Sequence, residues 1–129
     1  MDKALSESLL STAKRAREHS YSPYSKYPVG AAVLAASGKV YAGTNIENAS
    51  YGGTMCAERV AVFKAISEGE REILAIAVDV PTADFAYPCG MCLQVISEFA
   101  KDIPVLLSSA SGVRECKLSE LLPFRFGKE

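Results

Sequence analysis

Four side chains of this 129-residue sequence have the types and spacing to do chemistry together: Cys56, Glu58, Cys89 and Cys92. Cys56 and Glu58 stand in TMCAERVAVF, where a thiol and a carboxylic acid two residues apart open an apolar run. Cys89 and Cys92 stand in PCGMC, three apart, so on a helix both thiols face the same way. Pro88 and Gly90 suit the passage from loop to helix. Each motif thus sets its thiols at a helix N-terminus, where unpaired N–H groups and the helix dipole favour thiolate. Three thiolates bind Zn2+ and leave the fourth tetrahedral position open, the arrangement of catalytic rather than structural zinc. A lone CxxC is a weak signal. A CxE followed 33 residues after its cysteine by PCxxC, each opening a helix, is far more specific.

Glu58, two positions past Cys56 on a helix, points away from the thiol. That spacing is poor for a fourth ligand but lets the carboxylate approach the open position from the side. There it would take a proton from water and return it to a substrate. Zinc brings the pKa of a bound water from about 15.7 to about 7, and burial raises a carboxyl towards the same range. The bland alternative is a first-turn acid favoured by the helix dipole. A non-catalytic module closed by a fourth thiolate would need Cys116, which lies in VRECKL without paired spacing. His19, the single histidine, ends a charged helix and reads as a solvated residue.

The elements that must hold these groups follow from periodicity. Leu5, Leu9, Thr12, Ala13 and Ala16 form one apolar stripe of a helix over 2–19, opposite Lys3, Glu7, Lys14 and Glu18. SYSPYSKYP, with two prolines and three tyrosines, is a loop whose aromatics either line a pocket or pack onto the core. VGAAVLAAS and KVYAGTNIE read as two strands around a Ser37-Gly38 turn, and Gly30, Ala31, Ala32, Ala35 and Ala36 leave room for something packed close. Helices follow over 55–67 and 89–101, separated by the continuously apolar ILAIAVDV, a strand covered on both faces. PVLLSS and VRECKL are two further short strands, and SELL a last helical turn. A buried strand between two apolar helices implies a parallel crossover. The expected fold is α/β: three layers, α/β/α, with a mixed central sheet of about five strands in one domain over 1–129.

Hydrophobic residues make up 49% and charged residues 22%, with a net charge of −1, an ordinary globular balance that gives no attraction to polynucleotides or anionic membranes. Neither a signal peptide nor a bilayer-length apolar run is legible, so the four cysteines are expected to stay reduced in the cytoplasm. The apolar surface of the two central helices exceeds what one sheet face can cover, which points to subunit contacts.

At the cysteine motifs the sequence resembles the zinc-dependent deaminases of nucleosides and nucleobases. It is most similar to the small homotetrameric cytidine deaminases, through YSPYSKYPVGAAV, TNIENASYGGTMCAER, PCGMCLQVISEF and ELLPFRF. The resemblance implies one zinc per subunit on Cys56, Cys89 and Cys92, with Glu58 shuttling protons in the hydrolysis of cytidine and 2′-deoxycytidine to the uridines and ammonia. It implies that Asn45 and Glu47 hold the ribose hydroxyls and that Ala57, with the Cys89 backbone, orients the base. Tyr27 would lie near base and sugar, and Phe126 or Phe124 would close a neighbouring subunit's site. Apart from the resemblance, an amide and an acid two apart at a strand end project to the same side and offer a diol its partners; a capped loop with an exposed acid is the other reading. The sequence departs from the family at Leu93, where arginine is usual. Arg59 is then the cation expected to offset the thiolate charge. The rivals are a same-fold deaminase of a blasticidin-type nucleoside and the non-catalytic zinc module.

Overall fold

The computed structural model describes residues 1–127. Helix α1, Lys3–Ala16, starts where the Asp2 carboxylate accepts the Leu5 N–H at 3.0 Å, and runs into a 3-10 turn, Arg17–His19. Strands β1, Gly30–Ala35, and β2, Val40–Thr44, form the expected hairpin, with Gly38 at φ 93° where a side chain would be strained. Ala36 proves to be exposed in that turn rather than packed against a neighbour. Helix α2, Ala57–Ser67, strand β3, Ile73–Asp79, helix α3, Gly90–Glu98, strands β4, Pro104–Ser109, and β5, Gly112–Lys117, and a short helix α4, Leu118–Leu121, complete the chain.

The sheet order is β2-β1-β3-β4-β5. Only β3 and β4 pair in parallel; the other three pairings are antiparallel. That parallel pair needs a crossover, which α3 supplies. The mixed five-stranded sheet and its three layers are therefore as expected. Alternation along β1 divides the core. Ala32 and Leu34 face α1 and pack with Leu9, Ala13 and Leu106, while Ala31, Val33 and Ala35 face α2 and α3 and pack with Ala61, Val62 and Ile96. β3 is buried at every position except Leu74, as a strand covered on both faces must be. The Arg17 Nε–Asp79 Oδ1 ion pair, 2.6 Å, ties the end of α1 to the end of β3 in a largely buried setting.

Close approach of helix to sheet is what the small residues permit. A Cβ on Gly30 would lie 1.9 Å from the Ala13 carbonyl oxygen of α1, and one on Gly43 would lie 2.5 Å from Ala61 N and 2.7 Å from Ala57 O of α2. Because α2 backbone cannot yield as a flexible side chain would, Gly43→Ala is expected to lift the first turn of α2 from the sheet. A loss of roughly 1–3 kcal/mol, the usual scale for overpacking, should be read from urea unfolding. Unchanged stability would mean that the helix rests more loosely than these distances require.

Candidate active site

Both motif helices begin a residue or two later than expected because a cysteine serves as each N-cap. Cys56 (φ −74°, ψ 152°) precedes α2 and Cys89 (φ −70°, ψ 169°) precedes α3; neither side chain accepts from a first-turn backbone N–H. A cap of this kind leaves first-turn N–H groups unspent, the electropositive setting that favours thiolate. Cys92 follows as the third residue of α3. The three Sγ atoms lie within 4.8 Å of one another, with Cys89 and Cys92 at 3.5 Å.

A hydrogen bond from Cys92, reinforced by Arg59, pulls the Cys56 thiol down to about 5. The same bond to Cys56, together with burial and the nearby Glu58, pushes Cys92 upward. One thiol thus ionises readily and the accumulating negative charge resists the next. A divalent cation at their centre relieves that conflict. Three soft donors so placed fit Zn2+ with one tetrahedral position to spare.

Arg59 donates from Nη2 to Cys56 Sγ at 3.3 Å and from Nη1 to Met91 Sδ at 3.0 Å. Leu93, by contrast, is 7% exposed and belongs to the core cluster beneath the helices. It therefore brings no charge to the thiols, whereas Arg59 sets its guanidinium against Cys56. Glu58 is 6% exposed, and burial, with the charge of Cys56 beside it, raises its carboxyl to about 7. Among the described residues the metal-ligating cluster contains the three thiols and neither Glu58 nor Cys116. Cys116 sits on β5 opposite Val105, half-buried against the main core, which removes the closed four-thiolate alternative. His19 is exposed at the end of its turn.

The two polar residues after β2 have unlike surroundings. Asn45 is buried: its Oδ1 accepts from Ser20 Oγ (2.6 Å) and Val29 N (2.9 Å), and its Nδ2 donates to the Tyr27 carbonyl at 2.8 Å. One N–H of the amide is left for anything else. Glu47 is half-buried and faces a cavity of about 270 Å3 lined by Tyr24, Ser25, Glu47, Asn48, Tyr51 and Thr54. Its Oε1 accepts the backbone N–H groups of Tyr24 (2.9 Å) and Ser25 (3.1 Å), and its Oε2 accepts the Ser25 hydroxyl. These donors, the Ser25 hydroxyl foremost, hold the carboxyl below its ordinary range. Ser25 escaped the sequence reading because the tyrosines and prolines of its loop dominated it; a hydroxyl two residues before Tyr27 was the available signal.

Tyr27 is half-buried, with its hydroxyl 3.4 Å from Thr82 Oγ1, and Ala57 is fully buried at the start of α2. Phe124 and Phe126 are 95% and 85% exposed; Gln94 Nε2 holds the Phe126 carbonyl at 2.9 Å, so the segment is tied down while its rings are not.

A clustered thiol triad at two helix N-termini, beside a buried carboxyl that titrates near neutrality, on a mixed sheet with helices on both faces, defines a zinc hydrolase of the deaminase type. The model of the cytidine and deoxycytidylate deaminase zinc-binding region matches residues 3–107. Cytidine deaminases of Sporosarcina psychrophila and Halalkalibacterium halodurans are each 50% identical, over 95% and 94% of this chain and 92% and 93% of theirs. The crystal structure of cytidine deaminase from Burkholderia pseudomallei superposes with a TM-score of 0.89 at 43% identity, covering 98% of this chain and 100% of that one. A blasticidin-S deaminase from Bacillus cereus is 31% identical over 78% of this chain and 78% of its own. The chain belongs to the cytidine and deoxycytidylate deaminase family.

Proposed function

We infer that this protein hydrolyses cytidine and 2′-deoxycytidine to the corresponding uridines and ammonia. The observation that carries the inference is the juxtaposition of the thiol cluster with Glu58, in a chain 50% identical to cytidine deaminases over nearly its whole length. Cys56, Cys89 and Cys92 would hold Zn2+, which would supply the Lewis acidity that lowers the pKa of water. Glu58, poised near neutrality by burial, takes up a proton as water adds to the amino-bearing carbon and returns it as the amine leaves. Arg59 holds Cys56 as thiolate through its 3.3 Å contact. The Ala57 backbone, with that of Cys89, borders the reacting edge of the base. Asn45 and Glu47 hold the sugar, Asn45 through its one uncommitted N–H and through the Tyr27 carbonyl it anchors.

Glu47 also separates this reading from a blasticidin-type substrate, which has no need of a diol-binding acid. The exposed rings of Phe124 and Phe126, with Ile46 (47%) and Phe63 (42%) also exposed, support a homotetramer in which Phe126 reaches a neighbouring site. We assign the activity to a single domain acting on free nucleosides, with no polynucleotide partner. No helix of the described residues is long and apolar enough to cross a membrane. The four free cysteines support a reducing, cytoplasmic setting.

The test is turnover by the zinc-loaded protein, read as loss of cytidine absorbance and release of ammonia, with blasticidin S as the comparison substrate. Turnover of cytidine or deoxycytidine that stops on chelation is the expected result. Deamination of blasticidin S alone would overturn the substrate assignment.

A further inference from the structure

We propose that Ser25 is a positioning residue of the nucleoside site, whose hydroxyl fixes which lone pair of Glu47 remains available to a sugar hydroxyl and ties that choice to the placement of Tyr27. The inference rests on the reading of Glu47 as the sugar-binding acid.

The Ser25 hydroxyl has two partners. It donates to Glu47 Oε2 and accepts the Tyr27 N–H at 3.1 Å. The circuit closes through Asn45, whose Nδ2 donates to the Tyr27 carbonyl at 2.8 Å. Asn45, Tyr27, Ser25 and Glu47 are thus joined in one chain of hydrogen bonds, although they come from two segments of the sequence. Lys26 lies between Ser25 and Tyr27 with φ 60°, the one non-glycine of positive φ among the described residues. A lysine holds that conformation only where neighbouring contacts fix it. Here it turns the loop back so that the hydroxyl of Ser25 meets the N–H of Tyr27.

Counting lone pairs shows what the hydroxyl does. An ionised carboxylate accepts about four hydrogen bonds, two at each oxygen. Glu47 Oε1 takes two, from Tyr24 N and Ser25 N, and is filled. Oε2 takes one, from Ser25 Oγ, and among the described residues keeps one acceptor position. Both Glu47 and Ser25 line the 270 Å3 cavity, so a nucleoside entering it meets the remaining position of Oε2. Without the hydroxyl, Oε2 has two unconstrained positions, the carboxylate can rotate, and Tyr27 N–H loses its acceptor. Among the described residues none of the thiols, Glu58 or Arg59 hydrogen-bonds the loop from Tyr24 to Tyr27, so the change is expected to reach binding before the chemical step.

Ser25→Ala is expected to raise KM for cytidine by about 10-fold, the scale of one charge-assisted hydrogen bond, and to change kcat by less than about 3-fold. The Ki of 2′,3′-dideoxycytidine as a competitive inhibitor should move by less than about 2-fold, because it presents no diol to the misoriented carboxylate. Ser25→Thr, which keeps the hydroxyl, should restore KM. Ser37→Ala, which removes a comparable hydroxyl-to-carboxylate bond to Glu70 at the far hairpin, should leave KM unchanged. Glu47→Ala supplies the reference: Ser25→Ala added to it should cost clearly less than it does in the parent, leaving only the loss of the Tyr27 N–H acceptor. Equal losses for cytidine and the dideoxy compound, or full additivity with Glu47→Ala, would overturn the proposal. If Glu47→Ala alone left KM unaltered, the sugar reading itself would fall, and the proposal with it.

Discussion

Glu58→Gln is expected to lower kcat by about 10²- to 10⁴-fold, the range of general acid–base catalysis, while fold and zinc content stay at parental levels. The amide matches the carboxyl in shape and can occupy the same buried space beside α2. It cannot carry the proton that water loses and the leaving amine needs. Zinc content should hold because the ligating cluster comprises the three thiols without Glu58. A variant with near-parental kcat would end the proton-shuttle assignment.

The same substitution has a stability signature in chelator-treated protein. Burial raises the folded-state carboxyl to about 7 from an ordinary 4.5. Between those values the native state retains a proton that the unfolded chain has released. By linkage, stability from this group is full below the lower value and is lost as pH rises through the upper one. Glutamine has no such proton to lose. Metal-free Glu58→Gln should therefore match its metal-free parent near pH 4 and exceed it above pH 8, by an amount on the order of a few kcal/mol at about 1.4 kcal/mol per unit. Thermal denaturation at the two pH values reads the difference. A parent that gained stability relative to the variant on going to alkaline pH would contradict the buried placement of this carboxyl.

Cys92→Ser should remove both metal and activity. Cys92 is fully buried and its thiol contacts both other ligands' region, 3.5 Å from Cys89 Sγ. Serine supplies a hydroxyl far less acidic than a thiol and a harder, shorter donor. Loss of an outer partner costs about 10–100-fold in metal affinity, and loss of a direct ligand should cost more. Zinc content after dialysis against a chelator is the measurement, and Cys116→Ser is the matched control. Cys116 lies on β5 beside the core and outside the cluster, so its variant should keep zinc, fold and turnover. Zinc retained by Cys92→Ser, or lost by Cys116→Ser, would mean that the ligand set has been wrongly drawn.

The parts of the site legible in sequence are those set by local spacing. Cys89 and Cys92, three apart on one helix, must share a side, and the pairing of CxE with PCxxC predicts a zinc centre before any coordinates are known. Apolar periodicity likewise predicts α1 and the hairpin, and the unbroken apolar run of β3 predicts its two-sided burial. The exact helix starts were not legible, because a cysteine that declines to cap is indistinguishable in sequence from one already inside the helix.

Other features depend on contacts between segments distant along the chain. Arg59 reaches Cys56 three residues away, yet its second bond is to Met91, 32 residues on, and only the packing of α2 beside α3 brings them together. Leu93 reads as a missing cation, but the fold makes it a core residue. Asn45 and Glu47 look like equivalent partners for a diol. In the folded chain one is buried and nearly saturated, whereas the other lines a cavity and accepts from Ser25, 22 residues earlier. The sequence by itself pointed to zinc and singled out Cys56, Cys89, Cys92 and Glu58, because that reading depends on residue type and on spacing at the start of single helices. Tertiary structure decided the burial that raises the Glu58 carboxyl, the contacts of Arg59 with Cys56 and Met91, and the bond from the Ser25 hydroxyl to Glu47, because burial and long-range hydrogen bonds exist only once the segments meet.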